Sequence, residues 1–442
     1  MNSSKELFTF IMKKAHPVGV SDLHRPPFLF PSLFLFMFLF LPLFLLLPFT
    51  GKAQPVITGA ERMNIYLPLL KNKRVAVFAN QTSRVGTSHL VDTLLHRGVQ
   101  IRKIFGPEHG FRGTADAGAH VNSSTDAATG LPIISLYGSH KKPTAEDLKD
   151  IDVLVFDIQD VGVRFYTFIS SLEYCLEACL ENRKGFLLLD RPNPNGFYVD
   201  GPVLDPAFKS FVGMQPVPVV YGMTLGEYTL MLLGEQWLNN TCNRINEYNI
   251  RTTPTADTPF HVQVIKCQNY THQTLYSLPV PPSPNLKDMQ SVYLYPSTCF
   301  FEGTVLSEGR GTDFPFQQFG HPTLPRNLHS FRPEPRPGAV SSKCYGQTCY
   351  GWFEGGSVES VLKKVNNQVN PAYLVRAYSA FPGKDSFFLK NGFIHKLAGS
   401  DQLMKQVQQG KPAEEIHAGW QPAVNRFKQV RKKYLLYPDH TP

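Results

Sequence analysis

Two short runs carry groups that can move protons. The first is Ile104-Phe105-Gly106-Pro107-Glu108-His109-Gly110-Phe111-Arg112-Gly113, and the second is Phe156-Asp157-Ile158-Gln159-Asp160-Val161-Gly162-Val163-Arg164-Phe165-Tyr166. Each leaves an apolar segment and at once presents carboxylate, imidazole, amide, guanidinium or phenol groups on a glycine-flexed loop, where α/β proteins place their chemistry. These residue types imply acid/base work on a polar substrate. Pro107 fixes the approach of Glu108, Gly106 and Gly110 let the loop turn tightly, and His109 stands where it can modulate the carboxylate's proton affinity.

The elements that must position these groups alternate between short apolar runs and longer amphipathic ones. Strands are predicted over Arg74 to Ala79, Gln100 to Phe105, Leu131 to Leu136, Val153 to Ile158 and Phe186 to Leu189, and helices over Ser88 to Arg97 and Tyr166 to Glu181. A helix from Thr224 to Leu238 opens on a capping box, Thr224 with Glu227, and His261 to Lys266 completes the sheet. Strands rich in Val, Ile, Leu and Phe without strict alternation indicate a parallel sheet covered on both faces. The class is α/β, with a Rossmann-like, mostly parallel domain over residues 55–278.

The proline-stiffened bridge Leu278-Pro279-Val280-Pro281-Pro282-Ser283-Pro284-Asn285 marks a boundary, because four prolines exclude a helix. A smaller α+β domain over residues 279–442 follows, with Pro322 to Pro337 as a surface loop. Ligands of open α/β sheets lie outside the carboxyl ends of the strands, so Asn80, Glu108 and Asp157 to Arg164 are expected to converge. Glu302 to Asp313 is equally dense in polar groups, which places the site in a cleft between the two domains.

Residues 1–54 stand apart. From Phe28 to Phe49 the chain is almost only Phe, Leu, Pro and Met, preceded by Lys13, Lys14, His24 and Arg25 and followed by Gly51-Lys52-Ala53. This reads as a signal peptide or an uncleaved N-terminal anchor of an exported protein, periplasmic or extracellular. Seven cysteines allow short bridges such as Cys344 with Cys349, or Cys242 with Cys267, and leave one thiol over. The formal charge of +9 suits an anionic polymer such as a cell wall, and no nucleic-acid motif accompanies it. The basic stretch Arg426 to Lys433 reads as the solvated face of a last helix.

Five ordered motifs resemble a bacterial family of exo-β-N-acetylmuramidases, long catalogued as a domain of unknown function. They are Gly106 to Gly113 with Ala117-Gly118; Phe156 to Thr167; Leu189-Asp190-Arg191-Pro192-Asn193-Pro194-Asn195-Gly196; Pro282-Ser283-Pro284-Asn285-Leu286; and Phe301 to Thr304 with Glu308 to Asp313. The resemblance runs from about Val56 to Pro438. It implies a glycoside hydrolase releasing N-acetylmuramic acid from the non-reducing ends of peptidoglycan fragments, with Glu108 as the favoured catalytic carboxylate. Where relatives show His-Gly-Met-Thr this chain has Tyr221-Gly222-Met223-Thr224, so a histidine there is not obligatory.

Glycosidic cleavage needs a proton for the leaving oxygen and a base or nucleophile for the anomeric carbon, usually two carboxylates. His109, Asp157, Asp160 and Glu302 join Glu108 as catalytic candidates, with Glu308 and Asp313 as further carboxylates. Muramic acid carries a lactyl carboxylate, which an arginine matches bidentately; Arg112, Arg164 and Arg310 are the candidates. Tyr166 and Phe165 can stack on the sugar, and Asn80 and Asn285 complete the expected binding set.

No cofactor is implied. Asn80-Gln81-Thr82-Ser83-Arg84-Val85-Gly86 stands where a nicotinamide enzyme needs Gly-x-Gly-x-x-Gly, and no Gly-x-Ser-x-Gly elbow occurs. A metal hydrolase built on His109, His120, Asp157 and Asp160 lacks supporting spacing. A wall-fragment binding protein without turnover is the other open reading.

Overall fold

The chain is described here from a computed structural model covering residues 54–108, 110–111, 124–250 and 262–439. A seven-stranded sheet is built from β1 (Arg74–Phe78), β4 (Gln100–Gly106), β5 (Ser124–Thr125), β6 (Pro132–Ser135), β7 (Val153–Phe156), β8 (Gly185–Leu189) and β9 (Val262–Ile265). The short strands β2 (Arg84–Val85) and β3 (Ser88–His89) form a separate hairpin. The sheet order is β5-β6-β4-β1-β7-β8-β9, parallel throughout except for the β5–β6 edge. Counting only the parallel strands in chain order, this is the 3-2-1-4-5-6 arrangement of doubly wound folds.

Burial of both faces explains the near-continuous apolar runs. Ala76, Phe78, Leu154, Phe156, Phe186 and Leu188 enter one core, while Val75, Val77, Val155, Leu187 and Leu189 enter the other. Helices Met63–Leu70 and Leu90–His96 cover the second face through Tyr66, Leu70, Leu90, Val91 and Leu94. Helix Phe168–Glu181 covers the first through Phe168, Ile169, Leu172, Cys175 and Leu176. That first core continues without interruption into residues of the C-terminal half as far as Phe427.

The C-terminal half adds a three-stranded antiparallel sheet in the order β10-β12-β11, from β10 (Gln318–His321), β11 (His329–Phe331) and β12 (Cys349–Phe353), with helices packed around it. The α+β expectation holds. The stretch expected to be a plain surface loop contains β11.

Other differences are local. Ser88–His89 is strand, and the helix begins only at Leu90, because Gly86 at φ 56° turns the chain into the hairpin first. The helix capped by Thr224 and Glu227 stops at Gly234, whose missing side chain makes room for the Tyr434 ring. Arg431 is not on a solvated face: it is buried, bonding the Gly222 carbonyl at 2.7 and 2.9 Å and Asp439 at 2.7 and 2.9 Å. All seven cysteines are free thiols. Cys242 and Cys267 belong to separate packing clusters, so the hairpin bridge is not formed. No described helix is long and apolar enough to cross a membrane.

Candidate active site

Three strand ends meet at one carboxylate. Glu108 follows β4 on a turn closed by the Gly110 N–H to the Pro107 carbonyl at 2.9 Å, with Gly110 at φ 75°, a value that glycine adopts without strain. Tyr137 follows β6 and donates its hydroxyl to Glu108 Oε1 at 2.9 Å. Thr167 ends the loop after β7, at the N-terminus of helix Phe168–Glu181, and donates to Glu108 Oε2 at 3.0 Å. Both carboxylate oxygens are thereby oriented, and the helix end adds a favourable partial positive charge.

A charged cluster from the C-terminal half lines the same cavity, of about 460 Å³. Arg310 contacts Glu302 at 2.6 Å and Glu308 at 3.2 Å, and Lys343 contacts Glu308 at 2.8 Å. Lys343 is anchored further on the Phe301 and Thr304 carbonyls at 2.7 and 3.1 Å. Arg310 lies over the Phe316 ring, 5.0 Å from its centroid. Tyr166, Phe165, Tyr295 and Phe211 complete an aromatic lining. The volume suits a small ligand such as a sugar.

The environment separates the two carboxyls that share Arg310. Burial and the Glu308 charge raise the pKa of Glu302 against the pull of Arg310. Burial pushes Glu308 up as well, but Lys343 and Arg310 outweigh it and hold the group below its ordinary value. Tyr137 is pushed up by burial and by Glu108; it also feels Glu302 and, in the opposite sense, Arg310. Its phenol therefore stays protonated and lies within electrostatic reach of both walls.

Of the residues expected from sequence, Glu108, Tyr166, Glu302, Glu308 and Arg310 line this cavity. Asn285 is one step behind it, donating from Nδ2 to the Gly338 carbonyl at 2.7 Å and so holding the wall of residues 338–343. His109 and Arg112 lie outside the described residues.

Five others are placed elsewhere. The crevice at the carboxyl ends of β1 and β7 is filled: Asp157 is fully buried against Arg191 at 2.6 and 2.9 Å, and Asn80 Oδ1 accepts from the Thr82 N–H and hydroxyl at 2.9 and 2.5 Å. Asp160 accepts from Tyr221 at 2.5 Å and from the Gly162 N–H at 2.6 Å. The guanidinium of Arg164 is buried on the carbonyls of Pro202, Val217 and Leu397 at 2.7–2.8 Å, and burial lowers its pKa to about 9. It therefore staples the two halves of the chain and does not face the cavity. Asp313 is on the surface, paired with Arg336.

Tyr137, Thr167 and Lys343 were not singled out by sequence. Tyr137 had a usable signal, since Leu136-Tyr137-Gly138 leaves β6 as Glu108 leaves β4. Lys343 had none, because its contact with Glu308 depends on how the turn after residue 338 folds back.

Fold and site together define a doubly wound α/β protein whose carboxylate-lined cavity is shared by its N- and C-terminal halves. The family model for the N-terminal domain of the exo-β-N-acetylmuramidase NamZ matches residues 75–290, and that for its C-terminal domain matches residues 293–437. The chain belongs to this exo-β-N-acetylmuramidase family. It is 36% identical over 411 residues to the peptidoglycan β-N-acetylmuramidase NamZ of Bacillus subtilis, covering 88% of this chain and 93% of that one. Two solved structures of DUF1343-family proteins from Bacteroides fragilis share the fold. One has a TM-score of 0.76 at 45% identity, covering 87% of this chain and all of that one; the other has 0.67 at 29%, covering 86% and 99%.

Proposed function

We propose that this chain is an exo-acting glycoside hydrolase that releases N-acetylmuramic acid from the non-reducing end of peptidoglycan fragments. Family membership supplies the reaction class. The observation that carries the reading to residues is the cavity in which Glu108, oriented by Tyr137 and Thr167, shares one space with the Glu302–Arg310–Glu308–Lys343 cluster. Cleavage draws on two carboxyl groups, one giving a proton to the leaving oxygen and one serving the anomeric carbon. Glu108 is one, and Glu302, the more exposed carboxyl of the cluster, is the other. Arg310 and Lys343 supply cations for the lactyl carboxylate, and Tyr166 an aromatic surface for the sugar. The apolar run Phe28 to Phe49 supports export of the enzyme to the compartment that holds its substrate.

The test is release of free sugar from a muramic acid–glucosamine disaccharide by the purified chain. Turnover is expected, and the Glu108→Gln protein should lack it. Binding of the disaccharide without release by the wild-type chain would overturn the reading in favour of a wall-fragment binding protein.

A further inference from the structure

Cys344 and Cys349 bracket a tight turn directly behind the cavity wall. The Gln347 N–H bonds the Cys344 carbonyl at 3.0 Å, Gly346 sits at φ 69°, and its N–H bonds the Pro333 carbonyl at 2.9 Å. Cys349 opens β12 and pairs in register with Phe331 of β11, so its position is fixed by the sheet. The turn brings Cys344 back beside it, close enough for each thiol to shift the other's ionisation, while Cys344 Sγ lies 3.9 Å from the Val305 carbonyl and Cys349 Sγ 3.9 Å from the Gln347 carbonyl. Cys344 is held at φ 57°, a left-handed conformation seldom adopted by side chains other than glycine, asparagine or aspartate. Lys343, the residue before it, holds Glu308 in the cavity.

We propose that Cys344 and Cys349 are an oxidative modification site that closes into a disulfide by exchange with a small disulfide such as oxidised glutathione. The Cys344 thiolate attacks one sulfur of the reagent and displaces a thiolate. The Cys349 thiolate then attacks Cys344 in the mixed disulfide and displaces the second. Two cysteines are oxidised, one reagent disulfide is reduced, and the two cysteine protons end on the two released thiols.

The environments divide these roles. Cys344 is half-buried and accessible, and the Cys349 thiol, with a smaller contribution from Lys343, holds its pKa below the ordinary thiol value against the effect of burial. Cys349 is buried and pushed upward, by the Cys344 contact first and by burial second. An accessible, acidified thiol with an adjacent resolving thiol is the arrangement that exchange favours. The other five cysteines are all buried. The closed bridge pins the residue next to Lys343 and so the end of the wall that carries it.

The experiment uses the folded chain treated with oxidised or reduced glutathione, alkylated after unfolding, and mapped by peptide mass spectrometry. Expected is one Cys344–Cys349 linkage with the other five cysteines alkylated, and a melting temperature about 2–6 °C higher in the oxidised sample. Cys344→Ser and Cys349→Ser should each abolish the oxidant-dependent rise while melting like wild type in the reduced state. Full alkylation of both residues, a glutathione adduct persisting on Cys344, or pairing with another cysteine would each overturn the proposal. Because the linkage is read without any substrate, its failure is separable from failure of the hydrolase reading.

Discussion

Tyr137 donates its hydroxyl to Glu108 Oε1 at 2.9 Å, so a residue that follows β6 fixes the orientation of a carboxylate that follows β4. The two strands are parallel neighbours, with Gly106 opposite Ser135, and this register delivers both side chains to the same end of the sheet. Thr167 holds the other oxygen from beyond β7. The carboxylate is thus preorganised by three strand ends rather than by its own loop alone.

Tyr137→Phe removes one of these donors with almost no change in volume. A hydrogen bond to a charged acceptor contributes roughly 1.5–3 kcal/mol. If the orientation of Glu108 matters to the reaction, kcat should fall about tenfold to a hundredfold while the melting temperature moves little. Steady-state kinetics on the disaccharide with a parallel thermal melt would decide it; an unchanged kcat means that Thr167 and the turn suffice.

Glu108→Gln replaces the carboxylate with a nearly isosteric amide that can neither give nor take the proton. Groups in such roles contribute about 10²–10⁴-fold, and the folded variant should lose turnover on that scale. Activity within about threefold of wild type would remove Glu108 from the mechanism.

The sheet was legible because burial on both faces leaves continuous apolar runs, and each predicted strand of β1, β4, β6, β7 and β8 lies within about two residues of its observed bounds. The carboxyl-end rule also pointed to Glu108, which does line the cavity. It misled at Asp157 and Asn80, since a strand-end carboxylate looks the same in sequence whether it meets a ligand or an arginine more than thirty residues away, as Arg191 is here. Arg164 was misread for a related reason. Its acceptors are backbone carbonyls at positions 202, 217 and 397, and carbonyls carry no sequence signal. Glu302, Glu308 and Arg310 were recoverable because they share one short segment, whereas Lys343 reaches them only through tertiary folding.

Asp160 should show in the pH dependence of stability. Burial raises its pKa to about 6, against hydrogen bonds from Tyr221 and from the Gly162 and Val161 N–H groups. The folded value exceeds the unfolded one, so the native state binds more protons between about pH 4 and 6. The associated stability is full below about pH 4 and is lost as pH rises through 6; a displacement of this size corresponds to roughly 3 kcal/mol. Asp190, raised to about 6 chiefly by burial, and Glu173, raised to about 7 by the same cause, act with the same sign. Denaturant midpoints should therefore fall from about pH 4 to 7, and Asp160→Asn should flatten the part below 6. An identical pH slope in the variant would show that Asp160 is ionised in the fold.

Arg310 is where specificity for the lactyl group should be read. Arg164 is buried on carbonyls, so among the described residues Arg310 and Lys343 are the cations that line the cavity. Arg310 already balances Glu302 and Glu308, and its substitution has two separable consequences. Loss of that balance lowers stability and harms every substrate alike. Loss of a charge-assisted contact to the lactyl carboxylate harms only substrates that carry one, by about tenfold to a hundredfold for roughly 1.5–3 kcal/mol. Arg310→Gln should therefore reduce kcat/KM for muramic acid substrates that much further than for analogues with N-acetylglucosamine at the same subsite, and Lys343→Met should act in the same direction. Equal losses on both substrates, in protein whose melt confirms folding, would confine Arg310 to holding the two carboxyls. Specificity would then have to be read by the backbone amides of the 338–343 wall, which Asn285 fixes in place.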